Sequence, residues 1–263
     1  MTFETDPYGG VTVLRDGFPQ SYVDVSDPTR LAFEYVAQMA LAVDTLAPSG
    51  SLALTHVGGA GLTLPRYFAH TRPGSTQIVL EPDELSTQRV REELPLPRGH
   101  RIRVRGQDGL SGLTAMGSAR ADVVLVDAYA EGRVPAELVT VGFFAEVVRV
   151  LRPGGLLVAN VADAPGRRFL SRVAAGCLAT GLGQVALLGT HDVMKGRRFG
   201  NAVLVASGSR FEVDDLRRAA TRCPFPTGVM GEEWAGQLRA ARPFTTEDAE
   251  SSPEPPVAGS WRR

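Results

Sequence analysis

The stretch SLALTHVGGAGLTLPRYFA, residues 51–69, decides the fold class of this chain. Residues 51–57 are mostly apolar or β-branched and predict a strand, and residues 62–69 predict the start of a helix. Between them lies Gly58-Gly59-Ala60-Gly61, where glycine lets the backbone turn tightly and lets a ligand approach without a Cβ clash. A strand, a glycine-rich turn and a helix are typical of the first unit of a doubly wound α/β sheet, although such a turn also occurs for packing alone.

Strands and helices alternate along the chain after this stretch. Short apolar runs predict strands, and longer runs with helical spacing predict helices. Further strands are predicted at residues 76–80, 101–105, 121–127, 156–162, 185–189 and 201–207, and further helices at 85–94, 137–151 and 167–180. Apolar strands separated by helices indicate a mostly parallel sheet covered on both faces. The last two strands are close enough in sequence to form an antiparallel hairpin.

The two ends of the chain differ from this alternating pattern. Residues 11–24 contain two β-prone runs around Arg15-Asp16-Gly17, which predicts a β-hairpin, and a helix is predicted from Asp27-Pro28 to Pro48. Residues 245–263 are rich in Pro, Ser and acids, which predicts disorder. The predicted organisation is therefore an N-terminal β-hairpin and helix (1–48), a Rossmann-like α/β domain (49–243) and a disordered tail (244–263).

The bulk properties of the chain exclude several classes of function. It has 263 residues, 43% of them hydrophobic, and a formal net charge of -1. A nearly neutral protein has no global field that attracts nucleic acid or an anionic membrane, so neither is an expected partner. No secretory signal and no apolar run of ~20 residues is evident, so a cytoplasmic location is expected. Cys177, Cys223, His56 and His191 lack the spacing of metal ligands, so no metal is expected.

Polar or glycine residues follow four of the predicted strands, and in an open parallel sheet the ligand binds beyond these carboxyl ends. The Gly58–Gly61 turn comes first. Glu81 ends the next strand about 20 residues later, where a carboxylate can accept hydrogen bonds from both ribose hydroxyls. Asp108-Gly109 follows the third strand, and an Asp there can accept a hydrogen bond from an adenine amino group. Asp127 ends the fourth, where a carboxylate could act as a general base or orient a substrate amine.

Each of these acids also has an ordinary structural explanation. Glu81 could be a solvated strand-end acid, Asp108 a turn residue and Asp127 a loop or helix-capping acid. Their joint order, with each feature ending a successive strand, favours binding of an adenosyl nucleoside. The glycine turn lacks the complete G-x-G-x-x-G pattern that seats a pyrophosphate, so a nicotinamide dinucleotide is not expected.

At these residues the chain resembles the spermidine synthase family, which has the class I S-adenosylmethionine-dependent methyltransferase fold. The resemblance runs from about Tyr8 to Ser207. It is carried by VTVLRDGFPQ, HVGGAGLTLPRY, VLEPDEL, GQDG, VLVDAY and LRPGGLLVAN. The resemblance implies aminopropyl transfer from decarboxylated S-adenosylmethionine to a small-molecule amine, a part in polyamine biosynthesis, and a homodimer formed through the front hairpin.

The resemblance also implies roles for single residues. It implies that Gln20 contacts the thionucleoside and that Asp127 deprotonates the attacking amine. It places Glu81 on the ribose, and Asp108 with Gly109 on the adenine. The other candidate site residues are Gly58, Gly59 and Gly61 for the nucleoside, and Glu34, Tyr129 and Glu131 for the acceptor.

The chain departs from the family pattern on the acceptor side. Gly61 stands where the family carries an Asp, and Phe33-Glu34 replaces a Tyr-His or Tyr-Gln pair. After Asp127 the chain reads Ala128-Tyr129-Ala130-Glu131, where the family reads Asp-x-x-Asp-Pro. A dicationic amine needs carboxylates to replace its lost hydration. Three functions therefore stay open: aminopropyl transfer, methyl transfer from S-adenosylmethionine itself, and nucleoside binding without catalysis.

Overall fold

The structure is a computed structural model, and it describes residues 1–59, 61–234, 238 and 240–256. Its strands are β1 Thr2–Thr5, β2 Val11–Arg15, β3 Phe18–Val23, β4 Ala53–Gly58, β5 Thr76–Leu80, β6 Ile102–Arg105, β7 Ala121–Asp127, β8 Leu151–Asp163, β9 Gln184–Gly189, β10 Gly200–Ser207 and β11 Gly228–Met230. Its α-helices are α1 Glu34–Leu46, α2 Thr63–Thr71, α3 Glu84–Glu93, α4 Gly109–Thr114, α5 Val141–Val150, α6 Arg168–Ala179, α7 His191–Met194 and α8 Val213–Ala220. Short 3-10 helices lie at Ala136–Val139 and Glu232–Trp234.

An eight-stranded sheet forms the centre of the fold, in the order β11-β9-β10-β8-β7-β4-β5-β6. The pairs β4–β5, β4–β7, β5–β6 and β7–β8 are parallel, whereas β10 is antiparallel to both β8 and β9. The predicted mostly parallel sheet with an antiparallel C-terminal hairpin is therefore confirmed. The chain adds β5 and β6 on one side of β4, and then β7 and β8 on its other side. The topological switch point therefore lies between β4 and β7.

Hydrophobic side chains cover both faces of this sheet. In β7, Val124 and Val126 belong to the core on the side of α5 and α6, whereas Val123 and Leu125 belong to the core on the side of α1 and α8. This alternation follows from the two-residue period of a strand. Burial on both faces explains why β7 reads as a continuous apolar run until Asp127.

The N-terminal region forms a separate three-stranded antiparallel sheet, in the order β1-β2-β3. The predicted hairpin of β2 and β3 is confirmed, but β1 was missed because its residues are mostly exposed and show no apolar alternation. Val13 and Val23 of this sheet pack against Val90 and Leu94 at α3. The small sheet is thereby attached to the main domain, beside the carboxyl ends of β4 and β5.

The predicted helix start at Asp27-Pro28 is wrong, because α1 begins at Glu34. The Asp24 carboxylate accepts hydrogen bonds from the backbone N–H groups of Ser26 and Asp27, both at 2.9 Å. Asp27 in turn accepts from the Thr29 N–H at 3.0 Å. These side chains stabilise turns, an alternative to helix initiation that Asp residues offer. The helix predicted at 137–151 is likewise divided, because the Thr140 hydroxyl accepts from the Phe143 N–H at 3.1 Å and caps α5.

The C-terminal segment at residues 244–256 packs along the domain, so the prediction of a disordered tail is wrong for these residues. Phe244 is fully buried, its ring lies 5.2 Å from that of Phe169, and the Arg172 guanidinium stacks on it at 3.7 Å. Ser252 is also buried, and its Oγ accepts from the Val134 N–H at 2.8 Å. One buried aromatic and these local bonds outweigh a composition typical of disorder. Residues 257–263 lie outside the described part of the chain.

Within the described ranges, no helix is both long enough and apolar enough to cross a membrane.

The anchoring of this segment is testable through Phe244. We expect Phe244→Ala to lower the free energy of unfolding by about 3–5 kcal/mol, because a buried aromatic is replaced by a cavity. Urea denaturation followed by circular dichroism measures the change. Phe18→Ala is the matched control, since Phe18 is 59% exposed and its removal should change stability by no more than about 0.5 kcal/mol. Equal stabilities of the two variants would show that the segment does not pack as described.

Candidate functional site

A cleft opens at the switch point between β4 and β7, beyond the carboxyl ends of both strands. Gly58 and Asp127 are register partners there, at the last position of each strand. The cleft brings together four of the predicted site residues, namely Gln20, Gly58, Gly59 and Asp127. Its other walls are Ser21, Phe33, Tyr35, Val36, His56, Val57, Thr63, Leu64, Pro65 and Leu125. The site is therefore built from the end of the main sheet, the start of α1 and α2, and the N-terminal hairpin.

Gly58, the last residue of β4, and Gly59, which follows it, are glycines for different physical reasons. Gly58 has φ +79, and a Cβ built on it would lie 2.4 Å from the backbone oxygen of Asp127. Gly59 has φ +112, and a Cβ there would meet no atom within 4 Å. Gly58 is required by the close approach of β7, whereas Gly59 leaves an open backbone surface on which a ligand can lie. Ala60 lies outside the described residues.

Gly61 is where the N-terminal sheet contacts the glycine turn. Its N–H donates to Ser21 Oγ at 3.0 Å, and a Cβ at this position would lie 2.4 Å from Ser21 Cβ. Ser21 therefore occupies the space that any side chain at position 61 would need. This contact was missed from the sequence, because only the folded chain brings β3 against the start of α2.

Asp127 is the carboxylate of the cleft. Its Oδ1 accepts a hydrogen bond from Asn160 Nδ2 at 2.9 Å. Burial raises the pKa of Asp127 to about 6, and the Asn160 bond opposes this rise only in part. Burial, together with the charge of Asp127, also raises the pKa of Tyr35 and Tyr129. The predicted residue Tyr129 is thus close to Asp127, and its hydroxyl lies 3.5 Å from the backbone oxygen of Asn160.

Asn160 is the second polar group beside Asp127. It lies in β8, is 1% exposed, and its Oδ1 has no hydrogen-bond partner among the described residues. Buried acceptors are almost always paired, so an unpaired oxygen on the residue that holds Asp127 is unusual. The sequence carried a signal for it, since Asn160 interrupts the apolar run LLVANVA of a buried strand.

His56 lies at the floor of the cleft. Its Nε2 is 2.9 Å from Gln77 Oε1, and burial lowers its pKa to about 4. His56 is therefore neutral at physiological pH and adds no charge to the site.

Glu81 lies one strand away from the Asp127 cleft, immediately after β5. It lines an adjacent groove together with Glu84 and Gly106. Its Oε1 accepts from the Asp83 N–H at 3.1 Å, and burial raises its pKa. Arg15 at the hairpin tip forms a salt bridge with Asp83, which holds the hairpin over this end of the sheet.

Asp108 and Gly109 have clear structural roles. Asp108 is the N-cap of α4, where its Oδ1 accepts from the Ser111 N–H at 2.9 Å, and this hydrogen bonding lowers its pKa. A Cβ on Gly109 would lie 2.3 Å from Val57 Cγ1, so this glycine lets α4 approach β4. Both residues follow β6 at the carboxyl edge of the sheet, outside the walls of the Asp127 cleft.

The structure does not bring Glu34 and Glu131 to Asp127. Glu34 is about half exposed, and its Oε2 lies 3.9 Å from Arg198 Nη2. Glu131 is exposed at a tight turn and has φ +52. The residues on either side of Glu34, Phe33 and Tyr35, line the cleft in its place. The wall of the cleft at the start of α1 is therefore mostly aromatic and aliphatic.

The chain is similar to solved structures, whereas no family model and no curated protein matches it. It is 29% identical to a probable spermidine synthase from Corynebacterium glutamicum, with 97% of this chain and 95% of that chain covered and a TM-score of 0.85. Spermidine synthase from Thermotoga maritima is 17% identical, with 90% and 83% covered and a TM-score of 0.61.

Human methyltransferase-like protein 13, solved in complex with SAH, is 20% identical, with 82% of this chain and 96% of that chain covered and a TM-score of 0.58. The last two likenesses show the fold alone. The first extends over nearly the whole chain and includes the N-terminal sheet. The chain therefore has the class I methyltransferase fold, and over nearly its whole length it is similar to a probable spermidine synthase.

Proposed function

We propose that this chain is a transferase that binds an adenosyl-sulfonium nucleoside across Gly58–Gly61 and transfers its aminopropyl group to an amine. The observation that carries the proposal is Asp127, a half-buried residue whose carboxyl has a pKa raised to about 6 and which lies directly beside the Gly58 turn. Such a group is ionised at neutral pH and is a stronger base than an ordinary carboxylate. The resemblance to spermidine synthases supports the choice of reaction.

The nucleoside is held by groups at the ends of three strands. The open backbone at Gly59 receives it, and Gln20 of the hairpin faces the same cleft. Glu81, beside β4 at the end of β5, binds the ribose hydroxyls, and Asp108 with Gly109 lies on the adenine side. Burial raises the pKa of Glu81, so hydroxyl donors from a ribose would stabilise its charged form.

The proposed reaction is an in-line displacement. The amine nitrogen attacks the carbon beside the sulfonium, the new N–C bond forms, and the C–S bond breaks with its electron pair leaving on sulfur. The product nucleoside is therefore a neutral thioether, and the proton lost from the amine goes to Asp127. Asn160 Nδ2 holds the carboxylate in place, and the free Asn160 Oδ1 accepts a hydrogen bond from the amine. Alignment and deprotonation of the amine supply most of the catalysis.

Methyl transfer from intact S-adenosylmethionine is the second candidate, and the Ser21–Gly61 contact favours it. Because Ser21 fills the space beside Gly61, no acid there can bind the aminopropyl ammonium. The carboxylate of the methionine would instead be compatible with backbone N–H groups at the start of α2.

Calorimetric titration with S-adenosylmethionine, its decarboxylated form and methylthioadenosine separates the candidates, followed by mass spectrometry of the amine products. Preference for the decarboxylated form together with an aminopropylated amine supports the proposal. Preference for the intact form together with a methylated amine supports the second candidate. If none of the three nucleosides binds, both are wrong.

The base is tested by Asp127→Asn, which keeps the shape of the side chain and its bond to Asn160. We expect kcat to fall by about 10²–10⁴, with the Kd of the nucleoside unchanged. In the wild type, kcat should fall as the pH drops below about 6, because the base becomes protonated. The pH profile of kcat for the variant should not show this decrease. Asp122→Asn is the control, since Asp122 lies on the same strand and is paired with Arg152. Full activity of Asp127→Asn would refute the assignment.

The raised pKa of Asp127 also predicts an effect on stability that needs no substrate. Its pKa is about 6 in the folded chain against an ordinary pKa of 3.8 for an Asp in the unfolded chain, so the folded state is progressively destabilised as the pH rises from 3.8 through 6. We therefore expect Asp127→Asn to raise the free energy of unfolding at pH 7.5 by about 1–3 kcal/mol, and to have no such effect near pH 3.5. Urea denaturation at the two pH values measures the difference, and a variant less stable at pH 7.5 would contradict it.

Glu81→Ala tests the ribose contact. We expect the nucleoside to bind about 1–3 kcal/mol more weakly, because charged hydrogen bonds to the ribose are lost. Glu92→Ala is the matched control, since Glu92 lies farther along the same groove and accepts from Gln88 at 2.8 Å. Calorimetry should show wild-type affinity for the control. The same affinity for both variants would show that Glu81 does not bind the ribose.

A further inference from the structure

We infer that the acceptor of this site has one ammonium group, an apolar middle and an anionic far end, and is not a diamine. The inference rests on the proposed function, because it takes Asp127 as the group that receives the reacting amine. It concerns the chemical class of the acceptor, which the reaction type leaves open.

The cleft offers one position for a cation. Among its described walls, Asp127 is the single carboxylate. The unpaired Oδ1 of the buried Asn160 adds a neutral acceptor beside it, and the half-buried Tyr35 adds an aromatic ring near the same carboxylate. A carboxylate, a neutral acceptor and an aromatic ring together suit one ammonium group, whose N–H donors need acceptors and whose charge is attracted to a ring face.

The middle of the cleft is unsuited to a second ammonium. The walls between α1, α2 and β7 include the apolar side chains of Phe33, Val36, Leu64 and Leu125. A second cation placed against them would lose its hydration without a carboxylate to replace it, which is strongly unfavourable. An alkyl segment of the acceptor, in contrast, would gain from burial there.

The far end of the acceptor is directed toward Arg198. The segment that joins β9 to β10, residues 190–199, lies at the same edge of the sheet as the cleft because β9 ends there and β10 begins there. It brings Arg198 to within 3.9 Å of Glu34, which stands between the cleft residues Phe33 and Tyr35. The Arg198 guanidinium therefore lies beside the start of α1, next to the wall of the cleft that Phe33 and Tyr35 form.

Glu34 leaves most of the binding capacity of Arg198 unused. The distance between the charged atoms of Arg198 and Glu34 is long for an ion pair, and both side chains are about half exposed. The ion pair therefore contributes little to stability. Within the described part of the chain, Arg198 also donates to Thr190 Oγ1 at 3.2 Å. A guanidinium has five N–H donors and binds a carboxylate with two parallel hydrogen bonds. An acceptor carboxylate can therefore bind Arg198, whose positive charge would repel a second ammonium.

Three amines with four-carbon chains test the inference, since they differ only in the far end. Putrescine carries an ammonium there, butylamine a methyl group and 4-aminobutyrate a carboxylate. Their Kd values are measured by calorimetry on the full chain saturated with methylthioadenosine, so no turnover is needed. We expect 4-aminobutyrate to bind about three- to tenfold more tightly than butylamine, and putrescine to bind most weakly. Tightest binding of putrescine, equal binding of all three, or binding of none overturns the inference.

Variants of Arg198 test whether this residue causes the preference for 4-aminobutyrate. Arg198→Gln should abolish the preference for 4-aminobutyrate over butylamine and leave the Kd of butylamine unchanged. Arg198→Glu should make putrescine bind more tightly than 4-aminobutyrate. Arg103→Gln is the matched control, because it removes the same charge from an exposed residue of the edge strand β6, and it should keep the wild-type order. If Arg198→Gln also keeps that order, the inference is wrong.

The result also separates this inference from the proposed function. If methylthioadenosine does not bind, the nucleoside site itself is refuted. If it binds but putrescine is preferred among the amines, the inference alone fails, and aminopropyl transfer to a diamine remains supported.

Discussion

Because Gly58 has no side chain, the carboxyl ends of β4 and β7 can meet, with a hypothetical Cβ only 2.4 Å from the Asp127 backbone oxygen. This close approach occurs at the switch point of the sheet. The segments that follow β4 and β7 lead to opposite sides there, which opens a cleft between them. It sets the glycine turn and the Asp127 carboxylate side by side at the last register position of the two strands. The other walls of the site, from α1, α2 and the hairpin, are arranged around this pair.

The chemistry of the site follows from burial at that point. A carboxyl with little contact with water has a raised pKa, which makes it a better base and at the same time destabilises the folded chain. Asn160 compensates for part of this cost through one hydrogen bond and leaves its own Oδ1 unpaired. Unfavourable groups of this kind are typical of functional sites.

The candidate nucleoside-binding residues and the candidate acceptor-binding residues have different relations to the spermidine synthase pattern. On the nucleoside side, the glycine turn and the strand-end acid Glu81 are present. On the acceptor side, Ser21 fills the space beside Gly61, and Glu34 faces Arg198 instead of the cleft. The difference from the family pattern therefore involves contacts as well as residue types, since Ser21 packs against Gly61 and Arg198 pairs with Glu34.

The sequence by itself determined the order of the strands β4 to β10 and of the helices α2, α3, α5 and α6, the position of the glycine turn, and the acids Glu81 and Asp127 at strand ends; it did not predict α4, α7, α8 or β11. These follow from local periodicity and turn chemistry, which act over a few residues. Only the tertiary structure decided the rest. Neither the buried position of Phe244 in a segment of disordered composition nor the contacts of Ser21 and Asn160 could be predicted, because each depends on partners tens of residues away in the chain. The separation of Glu34 from Asp127 could not be predicted either. Glu34 adjoins the cleft residues Phe33 and Tyr35 in sequence, but in the folded chain its carboxylate is directed toward Arg198, which lies far away in the sequence.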